Sequence, residues 1–273
     1  MHFVRMIKRF QSSSTINKEE ISKFASISNE WWDPKGKFEM LHRMNPVRVS
    51  YIRSILEEKL RATSLNKSKP FENLRILDIG CGGGLLSESL ARLGGSVLGV
   101  DAGEEQINIA KLHKLKNKFH ENLDLNYVQA SAEQLCETEY EKFDVLCGLE
   151  IIEHVDDKSL FLKSCVDLVK PEGTLFFSTI NRTPSSNFLT IFLAQNVLNW
   201  VPRGTHEFSK YITPVEFEKE LNLLNCEKIQ FTGMIFNPML NKWSLVSKSD
   251  FLYQIGSDLE VNYILSCQKK KQN

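Results

Sequence analysis

The chain has 273 residues, 42% of them hydrophobic and 25% charged, which suits one large domain with a real core. Its 34 basic residues balance 34 acidic ones, so no global field favours nucleic acid. The six cysteines (81, 136, 147, 165, 226 and 267) are scattered without a C-x-x-C pair, which excludes a zinc ribbon or disulfide framework and suits a reducing compartment.

The N-terminus departs from the rest. Arg5, Lys8, Arg9 and Lys18 occur with no acidic residue, and Phe3, Met6, Ile7 and Phe10 give an apolar helical face. This is the composition of a mitochondrial presequence, expected over residues 1–16 with cleavage near Phe10-Gln11. No stretch approaches the roughly 18 apolar residues that span a bilayer. One domain is expected over 17–273, beginning with a helical region over 17–70 in which Val47, Tyr51, Ile52, Ile55, Leu56 and Leu60 recur at helical spacing. It contains Trp31-Trp32-Asp33-Pro34, a packing pair by its residue types, and Arg48, either a clamp for a carboxylate or an exposed helix-start arginine.

Alternation then begins. Strands are expected at 74–79, 96–100, 125–128, 143–148 and 174–179, and helices near 83–93, 104–117 and 158–169. That pattern implies a parallel sheet covered on both faces, an α/β core over 71–180 and 212–273. The first strand runs into Asp78-Ile79-Gly80-Cys81-Gly82-Gly83-Gly84. Gly80 and Gly82 let backbone approach a ligand where a Cβ would clash, and the following helix start offers N–H groups. Leu85 stands where a dinucleotide loop places its third glycine, and Asp78 is an unwelcome neighbour for a pyrophosphate. Asp101, at the end of the second strand, is placed to accept two ribose hydroxyls. The set fits S-adenosylmethionine, which has a ribose and an ammonium but no phosphate, better than a nicotinamide cofactor.

Glu150, Glu153 and His154 follow the fourth strand, at the ligand-binding edge of such a sheet. On one helical turn all three would point the same way. Three readings stay open: ligands of a divalent cation (Mg²⁺ by its taste for oxygen, Mn²⁺ or Zn²⁺ by the histidine), His154 as a general base, or a loop with a satisfied histidine. Lys170-Pro171-Glu172-Gly173 is expected to turn before the fifth strand. Residues 181–211 break the alternation with Phe188, Leu189, Ile191, Phe192, Trp200 and other apolar residues, no acid from Asn181 to His206, and Arg182 and Arg203 as flanks. This insertion reads as an interfacial segment, a lid, or a buried helix. Late strands near 227–232 and 260–267 would close the sheet edge with an antiparallel hairpin.

Several blocks together resemble the ubiquinone biosynthesis O-methyltransferases in their mitochondrial form. They are Trp31 to Pro34, Leu41-His42-Arg43-Met44-Asn45-Pro46-Val47-Arg48, Leu77 to Gly84, Glu150 to Val155, Phe177 to Thr183, and Val201 to His206. The resemblance implies a class I S-adenosylmethionine-dependent methyltransferase fold, Rossmann-like, with a mostly parallel seven-stranded sheet. It implies two O-methylations of a polyprenylated ring, on a 3,4-dihydroxy-5-polyprenylbenzoate and on a demethylubiquinol. It implies cofactor contacts from Arg48, Gly80, Gly82, Asp101 and Leu149, and metal ligation by Glu150, Glu153 and His154, with Mg²⁺ the expected ion. It also implies peripheral contact of the insertion with an anionic membrane, on the matrix side of the mitochondrial inner membrane, and association with other ubiquinone-biosynthesis proteins. The chain departs from the family at Ala194-Gln195-Asn196 and Pro171-Glu172-Gly173. Rival readings are a scaffold subunit with weak catalysis, a methyltransferase of another small catechol, and a nicotinamide oxidoreductase, which Asp78 and Leu85 oppose.

Overall fold

Neighbouring residues of the central strands bury themselves on opposite sides of one sheet. Ile76, Val145, Phe176 and Ile264 join Tyr51, Ile52 and Leu56 in one core. Leu77, Leu146, Phe177 and Leu265 join Phe161, Leu162, Phe217 and Leu221 in the other. Side chains alternate along a strand, so a sheet covered on both faces needs apolar residues at successive positions. The computed structural model describes residues 14–60, 68–117, 122–191, 207–247, 250 and 258–271. The expected presequence lies almost wholly outside them, as do part of the 66–70 linker and residues 192–206 of the insertion.

Helices α1 (Lys18–Ala25) and α2 (Glu39–Leu60) precede the sheet. Then come β1 (Arg75–Ile79), α3 (Leu85–Arg92), β2 (Ser96–Asp101), α4 (Glu104–Lys116), β3 (Leu125–Gln129), α5 (Ala132–Glu139), β4 (Phe143–Leu149), α6 (Lys158–Leu168) and β5 (Val169–Ile180). A single turn α7 (Pro184–Ser186), helix α8 (Pro214–Leu223) and strands β6 (Cys226–Asn237), β7 (Lys242–Leu245) and β8 (Asn262–Lys269) complete the described chain. The strand order is β3-β2-β1-β4-β5-β8-β6-β7. The first five strands pair in parallel, whereas β8 slots antiparallel between β5 and β6.

Three expectations change. Among the described residues the sheet has eight strands rather than seven, because β6 runs on to Asn237 and folds back as a hairpin with β7. The turn at 170–173 lies within β5, where the register with β4 slips between Phe143 and Val145. Glu172 there takes φ +64°, a left-handed backbone that glycine adopts more easily. Helix α5 also escaped the hydrophobic pattern, although its capping box was written in the sequence: Ser131 and Gln134 hydrogen-bond reciprocally.

Candidate active site

The order of strands reverses between β1 and β4, which opens a crevice at their carboxyl ends. Gly80 and Gly82 turn the chain there with φ of +73° and +53°. A Cβ on Gly82 would lie 2.0 Å from the Trp31 ring, so the tryptophan seals the glycine loop from one side. Trp32 donates from Nε1 to the Gly83 carbonyl at 3.0 Å and stacks on His113, with centroids 3.4 Å apart. The tryptophan pair is therefore packing that holds the loop. The Gly80 and Cys81 N–H groups both reach the Val100 carbonyl, and Gly82 donates to Asp101 Oδ2 at 2.9 Å, so these three amides close the turn.

Asp101 accepts a second backbone N–H, from Gly103 at 2.8 Å on Oδ1. A carboxylate has about four lone-pair positions, so two remain for ribose hydroxyls. Burial raises its carboxyl, and the backbone donors at Gly103 and Gly82 oppose that. Asp78 is buried and accepts from Ser87 Oγ at 2.5 Å, which ties it to the first turn of α3. Burial raises its carboxyl to about 6, against the opposing pull of Ser87 and Arg48. Arg48 is buried in the middle of α2, with Nη2 3.1 Å from Glu150 Oε1 and its Nε lacking a hydrogen-bond partner. A buried donor left open in this way suits a carboxylate ligand.

The loop after β4 does not form one helical turn. Glu150 takes φ +54°, and only residues Ile152–His154 make a short 3₁₀ turn. The Glu150 N–H donates to the Ser178 carbonyl at 2.9 Å, and Ser178 Oγ donates to Glu150 Oε1 at 2.6 Å. A left-handed non-glycine residue costs about 1–3 kcal/mol and persists where its surroundings over-determine it, often at a functional site. Glu153 accepts from Thr179 Oγ1 at 2.9 Å, and its buried Oε1 has no partner. Burial raises its carboxyl. His154 Nδ1 lies 3.0 Å from Glu20 Oε2. Burial pushes Glu20 up, but hydrogen bonds and charge from His154 and Lys23 outweigh it and hold its carboxyl at about 2.

The expectation that Glu150, Glu153 and His154 stand together as a preassembled triad is therefore corrected. The three diverge to Arg48, Thr179 and Glu20, and among the described residues no three His, Cys, Asp or Glu side chains are grouped to hold a metal. The donor types nonetheless suit a divalent cation, and Glu153 Oε1 is a buried oxygen without a hydrogen-bond partner.

Arg48, Asp78, Gly80, Gly82, Asp101, Leu149, Glu150, Glu153 and His154 all line one cavity of about 910 Å³. That is near the upper end of the roughly 300–1,000 Å³ usual for small-molecule sites. Its lining also includes the apolar Phe24, Ile27, Leu189, Met234, Phe236 and Trp243. Sequence reading missed Glu20, Phe24 and the β6–β7 wall. The start of α1 was readable, since Asn17 caps it by accepting from the Glu20 N–H at 3.0 Å. Nothing in the sequence joins Glu20 to a histidine 134 residues away.

A family profile described as "Methyltransferase domain" matches residues 77–177. Among solved structures, magnesium protoporphyrin IX methyltransferase from Synechocystis with bound SAH superposes with a TM-score of 0.59 at 17% identity, covering 91% of this chain and 95% of that one. A plantazolicin methyltransferase in complex with SAH gives 0.57 at 16% identity, covering 93% and 100%. At such identities these two carry the fold alone. The ubiquinone biosynthesis O-methyltransferase of Sinorhizobium fredii is 41% identical over 94% of this chain and 97% of its own. That of Rhizobium etli is 42% identical over the same shares, and that of Dinoroseobacter shibae is 43% identical over 93% and 96%. With that identity along nearly the whole of both chains, this chain belongs to the ubiquinone biosynthesis O-methyltransferases and is an S-adenosylmethionine-dependent O-methyltransferase.

Proposed function

We propose that the protein methylates phenolic oxygens of a polyprenylated ring, a 3,4-dihydroxy-5-polyprenylbenzoate and a demethylubiquinol. One observation carries this reading: a single cavity is lined by Asp101, by the 150–154 loop and by apolar side chains such as Phe24, Leu189 and Phe236. Arg48, Gly80, Gly82, Asp101 and Leu149 hold the cofactor in this reading, with Arg48 taking its carboxylate and Asp101 its ribose. The ring lies against Glu150, Glu153 and His154, and the tail occupies the apolar end. Transfer needs the phenolic oxygen in line with the sulfonium methyl at about 3 Å. A phenol with a pKa near 10 is mostly protonated at neutral pH, so its proton must be taken or its anion stabilised; His154, which lines the cavity, is the acceptor in the case that no cation binds.

A divalent cation, with Mg²⁺ the first choice, belongs to the same proposal. Glu153 and His154 would hold it, with Glu150 joining on release of Arg48; the open Glu153 oxygen supports this. Such an ion would supply Lewis-acid stabilisation of the phenolate. Exhaustive chelation is expected to abolish transfer while cofactor binding persists, with divalent cations restoring it. Full activity after chelation would leave His154 as base without an ion.

Membrane contact through residues 181–211 is part of the proposal. Phe188 and Leu189 are 54% and 39% exposed, a small apolar patch beside the cavity. Arg182, by contrast, is paired with Glu216 and is less available to an anionic lipid. No helix among the described residues is long and apolar enough to cross a membrane. A mitochondrial, inner-membrane placement rests on the N-terminal composition, since the relatives compared are bacterial. Thr15 hydrogen-bonds to Glu133 through its N–H and hydroxyl and accepts from the Asp156 N–H. Cleavage near Phe10-Gln11 keeps these bonds, whereas cleavage after residue 16 removes them. Association with other ubiquinone-biosynthesis proteins rests on the resemblance alone.

A further inference from the structure

The β6–β7 hairpin closes over residues 238–241, between the paired Asn237 and Lys242. Its backbone makes its demands on two asparagines. Asn237 Oδ1 accepts from the N–H groups of Met239 and Leu240 at 3.0 and 3.1 Å, and Asn241 takes φ +50°. Asparagine suits both places, since its side chain bonds its own turn and it tolerates left-handed backbone. Arg43 fastens the tip from α2, donating from Nη1 to the Asn241 carbonyl at 3.1 Å and from Nε to Glu39 at 2.9 Å. Met239 and Leu240 stand between these anchors and are 93% and 74% exposed. They add little to the core, and the turn itself does not call for apolar side chains there.

Their position indicates what they meet. Of the described residues that line the cavity, only Lys37, Leu189 and Pro238 are exposed, so these three mark its rim. Pro238 leads into Met239 and Leu240, and Leu189 follows the exposed Phe188. Two of the three rim residues thus adjoin exposed apolar side chains. No Asp or Glu occurs from Lys228 to Ser249, and Lys242 at the base of the turn is exposed. A specific protein interface buries roughly 1,200–2,000 Å², far more than two side chains on a turn supply. A lipid surface needs no matching groove, only apolar side chains to bury and no acid to repel its phosphates.

We propose that the β6–β7 tip is a second lipid-contact site, at which Met239 and Leu240 enter an anionic phospholipid surface together with Phe188 and Leu189 and bring the rim of the cavity to the acyl chains. The proposal rests on reading the cavity as the site of a polyprenylated substrate, whose tail could then enter without crossing water. Two small contacts on one molecule hold a surface far better than either alone, so loss of the tip is expected to matter even with the insertion intact.

The test sediments the full chain with vesicles of phosphatidylcholine and phosphatidylglycerol. Met239→Ser combined with Leu240→Ser removes apolar area without adding charge. Its partition onto the vesicles is expected to fall roughly 10-fold or more, because two side chains no longer leave water. Met239→Leu combined with Leu240→Met should bind like wild type. The serine variant should keep its activity on a tail-less catechol and its Kd for S-adenosylmethionine within about two-fold of wild type, as surface substitutions do. Met239→Trp reports insertion directly, since vesicles with brominated acyl chains should quench its emission more than that of wild type. Unchanged partition of the serine variant, a wild type that binds no vesicle, or no added quenching in Met239→Trp would overturn the proposal. So would a serine variant altered only in its apparent mass in solution, which would assign the tip to a second copy of the chain. Failure of the substrate reading looks different: a prenylated catechol would stay unmethylated while vesicle binding kept its dependence on the tip.

Discussion

Asp101 has four lone-pair positions and spends two on backbone N–H groups, and this division makes it the most informative side chain in the site. Asp101→Ala is expected to weaken S-adenosylmethionine binding by about 1–3 kcal/mol, the cost of leaving hydroxyls and amides unpaired. Calorimetric titration reads this as a loss of roughly 5- to 150-fold, and an unchanged affinity would refute the ribose contact. Asp78 gives a pH signature. Its carboxyl is raised from an ordinary 3.8 to about 6 by burial, so the folded chain holds that proton more tightly than the unfolded chain. Its contribution favours the fold below the unfolded value and is lost as pH rises through the folded one. Asp78→Asn should therefore gain stability relative to wild type between about pH 4 and pH 6 in ligand-free denaturant titrations. A constant difference across that range would show that Asp78 is already ionised. Both aspartates were legible as site residues, because an acid after a strand beside glycines has few structural uses. Their internal partners, Ser87 and the Gly82 and Gly103 amides, were not, since they depend on how the loops close.

Elements were legible where one period dominated. Helix α2 followed from the spacing of Tyr51, Ile52, Ile55 and Leu56, and the parallel strands from apolar runs ending in Asp78, Asp101 and Glu150. The short loop at Glu150 to His154 misled the reading because identical spacing serves a helix and an irregular turn. Only the left-handed backbone of Glu150, held by Ser178, separates them. Strand β7 was missed because Lys242 to Leu245 is too short to show a period, and it exists by pairing with β6. The insertion carries its own prediction. Phe188 and Leu189 are partly exposed where the apolar block begins, and apolar burial is the term that holds an interfacial segment on a bilayer. Placing Asp at both positions should release the chain from anionic vesicles in a sedimentation assay, while activity on a tail-less catechol is largely kept. Unchanged sedimentation would make the segment a lid or a core helix instead.

The molecule as a whole is a sheet whose strand order reverses over the cofactor loop, with a strap of N-terminal helix and a β6–β7 hairpin building the far side of one cavity. The parallel half of that plan could be read from alternation, because each strand and helix is a local pattern. The rest of the cavity lining could not, since the N-terminal segment and the β6–β7 hairpin come to it only through tertiary packing. One cavity is lined both by buried acids of the strand ends, Asp78 and Asp101, and by apolar side chains such as Phe24 and Phe236, which is the arrangement the proposed substrate needs. The direct check is to incubate the purified chain with S-adenosylmethionine carrying an isotope-labelled methyl and a polyprenylated dihydroxybenzoate, then locate the label by mass spectrometry. Label on a phenolic oxygen, formed with a higher kcat/KM than on the same ring without its tail, is the expected result. S-adenosylmethionine bound but no labelled ring, or a ring labelled equally well without its tail, would contradict the substrate assignment.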